Sequence, residues 1–174
     1  MFDILAQGVG ILAMLAALLS FQCRSNRRLF LMQMLASVLF SVHFGLLGAT
    51  TGLLQNSIGF VRCLLCYKSD RAWARHPLIL WGLLLASAVC GAIGYNGPVS
   101  LLPPIAMIVS TVAMWSRNGR AIRLTQLCAA SPLWLIYNFS VVSISGVIVE
   151  CCNLLSVVVS LCRFGWRGEG KQAK

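Results

Sequence analysis

The chain has 174 residues, of which 59% are hydrophobic and only 10% charged, with a mean hydropathy of +0.84. A soluble domain carries about a quarter charged residues, so a water-exposed globular fold is excluded. A bilayer core of about 30 Å takes roughly 20 apolar residues per helix, and the apolar runs predict seven such spans. In chain order they cover 4–21, 29–48, 50–67, 77–95, 99–116, 124–143 and 145–164. The third is the most interrupted, by Gln55, Asn56 and Arg62. These spans occupy nearly the whole chain, so 1–174 is read as one membrane domain with a basic cytoplasmic tail at 165–174.

The net charge of +10 is segregated by loop. Arg24, Arg27 and Arg28 follow the first span; Arg62, Lys68, Arg71 and Arg75 close the third. Arg117, Arg120 and Arg123 follow the fifth, and Arg163, Arg167, Lys171 and Lys174 end the chain. The alternate loops at 48–51, 95–99 and 142–145 carry no Lys or Arg. Basic residues favour cytoplasmic loops, so the pattern predicts an N-terminus outside, a C-terminus in the cytoplasm and an odd number of spans. It argues against a nucleic-acid partner. The first span is preceded by Asp3 rather than by positive charge, unlike a cleaved signal peptide. Tyr67, Trp73, Trp115 and Trp166 fall at the proposed inner interface and Tyr95 at the outer one, where aromatic side chains collect.

An internal repeat is expected. Residues 22–44 align without a gap to 117–139 at an offset of 95, pairing Leu29 with Leu124, His43 with Asn138 and Phe44 with Phe139. A deletion in the outer loop then shifts the offset to 94, pairing Gly52 with Gly146, Asn56 with Glu150 and Gly59 with Asn153. The predicted fold is therefore an all-α integral membrane protein of 3+1+3 plan. Two parallel triple-helix repeats, 4–67 and 99–164, are joined by a linker helix at 77–95, an arrangement used by some secondary transporters.

The segments AQGVG at 6–10, VHFGLLG at 42–48 and LLPPIAMIVSTVAMWSRNG at 101–119, with Arg62, resemble the YgjV-like bacterial inner-membrane proteins. The resemblance implies a multi-pass protein of the bacterial inner membrane and no particular chemistry. The 3+1+3 plan also resembles the SWEET, PQ-loop and PnuC transporters in architecture alone, since the chain has no Pro-Gln dipeptide.

Polar residues inside a bilayer each need a reason. His43, Asn56, Asn138 and Glu150 are placed by the predicted spans at one depth, about six residues or roughly 9 Å from the outer end. On the third span Gly52, Asn56, Gly59 and Cys63 share one helical face; on the seventh, Gly146, Glu150, Asn153, Val157 and Ser160 repeat the spacing. One expectation is a polar, solute-binding layer of His43, Asn56, Asn138, Glu150 and Asn153. In it Glu150 would lie within hydrogen-bond reach of His43, Asn138 or Asn56, and Glu150 and His43 would exchange a proton. The other is a packing seam. Pro103 and Pro104 are expected to kink the fifth span as a hinge, whereas Pro132 is expected in an ordinary first turn. Arg62 either snorkels to the inner headgroups or forms a cytoplasmic gate. Cys63 and Cys66 lack a second ligand pair, and no catalytic or phosphate-binding motif occurs, so no enzyme, metal or cofactor is predicted. The expected function is a small-solute carrier working by alternating access, with proton linkage open. The alternative is a non-transporting structural, lipid-binding or partner-binding membrane protein. The expected partners are the lipid bilayer and a small solute, with a homo-oligomer left open.

Overall fold

The computed structural model describes residues 2–21, 26–68, 71–116 and 119–164. Arg24, Arg117, Trp166, Arg167, Lys171, Lys174 and the tail at 165–174 lie outside the described residues. Among the described residues there are seven helical units and no strand: α1 Phe2–Phe21, α2 Asn26–Leu46, α3 Thr50–Tyr67, α4 Pro77–Ile93, α5 Leu102–Trp115, α6 at 119–140 and α7 Ile144–Phe164. A short 3-10 turn, Ala72–Arg75, precedes α4, and another, Pro98–Leu101, leads into α5. The unit α6 is Gly119–Thr125, a π-helical turn Gln126–Ala130 and Ser131–Ser140 in succession.

Pro98–Trp115 is by itself long and apolar enough to cross a membrane, and shorter apolar stretches run over Ile4–Ser20, Phe30–Leu46, Pro77–Ile93 and Ile144–Val159. Leu12, Leu19, Leu35, Val42, Trp81 and Leu85 point outward, while His43, Thr51, Gln55, Ser87 and Asn138 are fully buried. Apolar outside and polar inside is the reverse of a soluble protein and suits a bundle surrounded by hydrocarbon, where backbone polar groups must be satisfied within helices.

Helix α2 packs between α1 and α3, and α6 packs between α5 and α7. The two groups meet through α1 against α7 and α3 against α5, with α4 laid on both α3 and α5. One end of the bundle gathers the start of α1, α3 and α7 with the end of α2, α4 and α6 through direct hydrogen bonds. Thr51 Oγ1 donates to the Gly94 carbonyl there. One turn further in, Gln55 Nε2 donates to the Ser87 carbonyl while the Ser87 hydroxyl donates back to Gln55 Oε1, which clasps α4 to α3. The opposite end carries the basic connections, with Arg28, Arg71 and Arg120 exposed. An apolar core of Ala13, Phe40, Phe44, Tyr137 and Val149 joins the two groups.

The largest departure from the expected boundaries is in α6, which begins at 119 rather than 124. Arg is a good helix former, so the Arg120–Arg123 cluster extends the helix instead of ending it. The other end is fixed by the turn. In both the α2–α3 and α6–α7 turns the helix closes with a Schellman motif: Ala49 N–H donates to the Phe44 carbonyl and Gly48 N–H to that of Gly45. In the second turn Ser143 N–H donates to the Asn138 carbonyl and Val142 N–H to that of Phe139. Gly48 has φ +68° and Val142 φ +54°. Left-handed backbone is free for glycine and strained for a β-branched residue.

Candidate functional site

A cavity of about 1130 Å³ lies between the two helix groups. It runs from Phe44, Asn138 and Gly146 near one end of the bundle down to Cys66, Ala74, Trp115 and Ile122 at the basic end. Both predicted small-and-polar stripes face it. Asn56, Gly59 and Cys63 line it from α3, and Gly146, Glu150, Asn153 and Val157 from α7. Most of each face therefore borders a space, while Gly52 packs closely against Phe44 and Tyr137.

Glu150 is 8% exposed. Asn153 Nδ2 donates to Glu150 Oε2 at 3.3 Å, and the Ser131 hydroxyl lies beside the carboxyl. Ser131 in turn accepts from Gln126 Nε2 at 2.7 Å. Both Ser131 and Gln126 owe their placement to the π turn, in which the Ser131 N–H reaches back to the Gln126 carbonyl. The reason is Pro132. It stands near the middle of α6, not in a first turn, and its missing N–H and ring are accommodated by widening the turn before it. The expected contact of Glu150 with His43, Asn138 or Asn56 is not formed. Asn56 Nδ2 donates to the Gly52 carbonyl of its own helix, and Asn138 Oδ1 is buried without a partner.

Arg62 does not run to the end of the bundle. Its Nη1 donates to Ser110 Oγ at 3.0 Å and Thr111 Oγ1 at 3.3 Å, both on α5. Its Nε is buried without a partner. The two hydroxyls supply dipoles but no charge, so the guanidinium faces the cavity with its charge uncompensated by any described carboxylate.

His43 does not line the cavity. It is fully buried at the closed end, with Nδ1 2.7 Å from the Ala6 carbonyl and Nε2 2.7 Å from Ser143 Oγ. A carbonyl only accepts, so Nδ1 carries the proton and the neutral ring accepts the Ser143 hydroxyl at Nε2. Ser143 Oγ also accepts the Gly146 N–H at 3.2 Å, which makes it the N-cap of α7. From the other group, the Tyr137 hydroxyl accepts the Gly52 N–H of α3 at 2.9 Å. Gln7 Nε2 donates to the Val142 carbonyl at 2.8 Å. Three side chains thus tie the helix groups together across this end. The two turns match in hydrogen bonding at a spacing of 94 rather than the expected 95, which places Phe44 and Asn138, and His43 and Tyr137, at like positions before their turns. Phe44 and Asn138 line the cavity; His43 and Tyr137 each brace the start of the other group's last helix, at Gly146 and Gly52.

A model of bacterial inner membrane proteins, the Imp-YgjV family, matches residues 4–167. The chain belongs to this family. Inner membrane protein YgjV of Escherichia coli (strain K12) is 32% identical over 166 residues, which cover 94% of this chain and 85% of that protein. No solved structure matches. Membership in the Imp-YgjV family makes the chain a bacterial inner-membrane protein.

Of the residues expected at the site in this Imp-YgjV member, Asn56, Asn138, Glu150, Asn153 and Arg62 meet in one cavity, and His43 stands behind it. Pro103 and Pro104 sit in the first turn of α5, where a missing N–H costs no intrahelical bond, so they do not kink its interior. The 3-10 turn Pro98–Leu101 supplies the length that α5 alone lacks. Pro104 packs on Gly91 of α4. Gln126, Ser131, Trp134, Ser110 and Thr111 were not anticipated. The one signal for the first two is Pro132 within a run that otherwise reads as helix. Among the described residues no group of three or more His, Cys, Asp and Glu could hold a metal ion.

Proposed function

We propose that the protein is a small-solute carrier of the inner membrane that works by alternating access, and not an enzyme. The observation that carries the reading is the polar cavity holding Glu150, Asn153 and Arg62, which reaches the basic end and is tied shut at the other by the Gln7, His43 and Tyr137 hydrogen bonds. With basic loops in the cytoplasm, this is an inward-facing state with the N-terminus outside. The two groups α1–α3 and α5–α7 act as parallel repeats and α4 as the linker, in a SWEET-like 3+1+3 plan; the paired Schellman turns support that reading. Opening the other side would then require that the three cross-group bonds at this end break, that the apolar packing beside them separate, and that the groups rock about the cavity. A direct Glu150–His43 proton exchange is not part of the proposal, because His43 is held by Ala6 and Ser143 on the far side of Phe44.

The test needs no known substrate. Asn153→Cys, on a background without the native cysteines, is treated with an impermeant thiol reagent in right-side-out and inside-out vesicles. The carrier reading expects modification from both sides. It also expects a Gln7→Cys/Val142→Cys crosslink to abolish modification from the non-basic side alone. Modification from the basic side only, with or without the crosslink, rejects alternating access and leaves a structural or lipid-binding protein.

A further inference from the structure

Resting on the carrier reading, we infer that the cavity takes a zwitterionic organic solute, its ammonium at Glu150 and its carboxylate at Arg62. The structure brings two opposite, intramembrane charges to one cavity and leaves them apart. Among the described residues Glu150 has the neutral side chains of Asn153 and Ser131 beside it, and Arg62 has the hydroxyls of Ser110 and Thr111. Charged side chains inside a bilayer ordinarily pair with one another or with backbone carbonyls. Here the two side chains are turned to other partners. The matching turns set Asn56 level with Glu150, and Arg62 lies six residues further along α3, about 9 Å towards the basic end. A molecule with charges of its own completes both.

The surroundings assign each end. Near Glu150 the wall holds Trp134 and Phe44, whose rings lie 6.1 Å apart and 29° from parallel, and aromatic faces attract organic cations. Asn153 Oδ1 is a buried acceptor without a partner, which suits an N–H donor. At the other end stand the Arg62 guanidinium and the Ser110 and Thr111 hydroxyls, with the Gln33 carboxamide oxygen turned to Cys63. Arg62 Nε is free of partners, and a guanidinium fork matches a carboxylate or another oxyanion. A purely cationic solute would leave Arg62 unpaired in the bilayer, and a purely anionic one would leave Glu150 so. A neutral polyol would satisfy hydrogen bonds and neither charge.

The test is a titration of purified protein, followed by tryptophan fluorescence because Trp134 and Trp115 line the cavity. The probes are the ω-amino carboxylates from glycine to 8-aminooctanoate, with the n-alkylamine and n-alkanoate of each length. The expected result is saturable binding with an optimum at one length, at least about tenfold tighter than the matched amine or acid, a difference large enough to resolve. Glu150→Gln should weaken the amino acid and the amine but not the alkanoate; Arg62→Gln should do the reverse, and Arg62→Lys should restore part of the loss. Should a variant fail to fold, the wild-type series decides alone. An amine or an acid that binds as tightly as the zwitterion overturns the inference, as does the absence of saturable binding at every length. Nanodiscs with and without phosphatidylethanolamine separate a soluble ligand from a lipid headgroup: equal affinity in both supports the soluble solute, and competition by that lipid overturns it. Zwitterion binding without counterflow in proteoliposomes rejects the carrier reading and keeps the ligand class. Side-alternating access without zwitterion preference does the opposite.

Discussion

Two serines, two residues apart at the head of α7 and equally buried, should respond oppositely to alanine. Ser143 accepts the Gly146 N–H and bonds His43 Nε2, whereas Ser145 Oγ has no partner. Ser143→Ala removes an N-cap, about 1 kcal/mol, and strands a buried imidazole nitrogen, about 1–3 kcal/mol. The expected loss is therefore about 2–4 kcal/mol. At roughly 2–4 °C per kcal/mol for a chain of this size, melting in detergent should fall by about 5–15 °C. Ser145→Ala deletes a buried hydroxyl with no hydrogen-bond partner, so its Tm should be unchanged or higher. Thermal unfolding of both variants, followed by tryptophan fluorescence under one detergent condition, is the assay. Equal melting temperatures would refute the assignment of Ser143 as the bridge between α2 and α7.

Three further outcomes follow from the geometry. Val142→Gly should raise Tm by a few degrees, because a left-handed backbone costs an L-residue roughly 1–2 kcal/mol that glycine does not incur; Gly48→Val should lower it, and a fall in both would show that the Val142 side chain matters more than its φ. Gly10→Ala places a methyl against the Ser145 hydroxyl and the doubly held His43 ring and should cost about 1–3 kcal/mol by overpacking, while Gly8→Ala meets nothing within 4 Å and should be neutral. For orientation, Asn96→Cys and Arg71→Cys lie exposed at opposite ends of the bundle; in intact cells an impermeant thiol reagent should reach 96 and spare 71, and the reverse pattern would invert the inferred topology.

What the sequence makes legible is position along the bundle rather than direction around a helix axis. Counting residues from the predicted ends put His43, Asn56, Asn138 and Glu150 at similar distances from one end of the bundle, and charge segregation gathered Arg28, Arg71 and Arg120 at the other. The faces of α3 and α7 were also readable, because small and polar residues recur there at helical spacing. A single residue along a helix turns the side chain by about 100°, and that is the difference between Phe44, which lines the cavity, and His43, which does not. Isolated polar residues on α2 and α6 carry no periodicity from which to fix that angle. The spacing of the turns could not be read from identities either, since Val142 occupies a left-handed position that Gly48 fills in the other turn. Similarly, Pro132 announces a disturbance in α6 but not that a π turn will bring Ser131 and Gln126 to Glu150. His43 and Tyr137 stand at like positions before their turns, and each buried aromatic ring holds the first turn of the other group's last helix, His43 through Ser143 and Tyr137 directly at Gly52. The next residue along, Phe44 or Asn138, is left to face the cavity. Bracing and lining are thus separated by one residue on α2 and on α6, so substitution at 43 or 137 loosens the closed end by removing a side chain that packs behind Phe44 and Trp134 rather than one that lines the cavity.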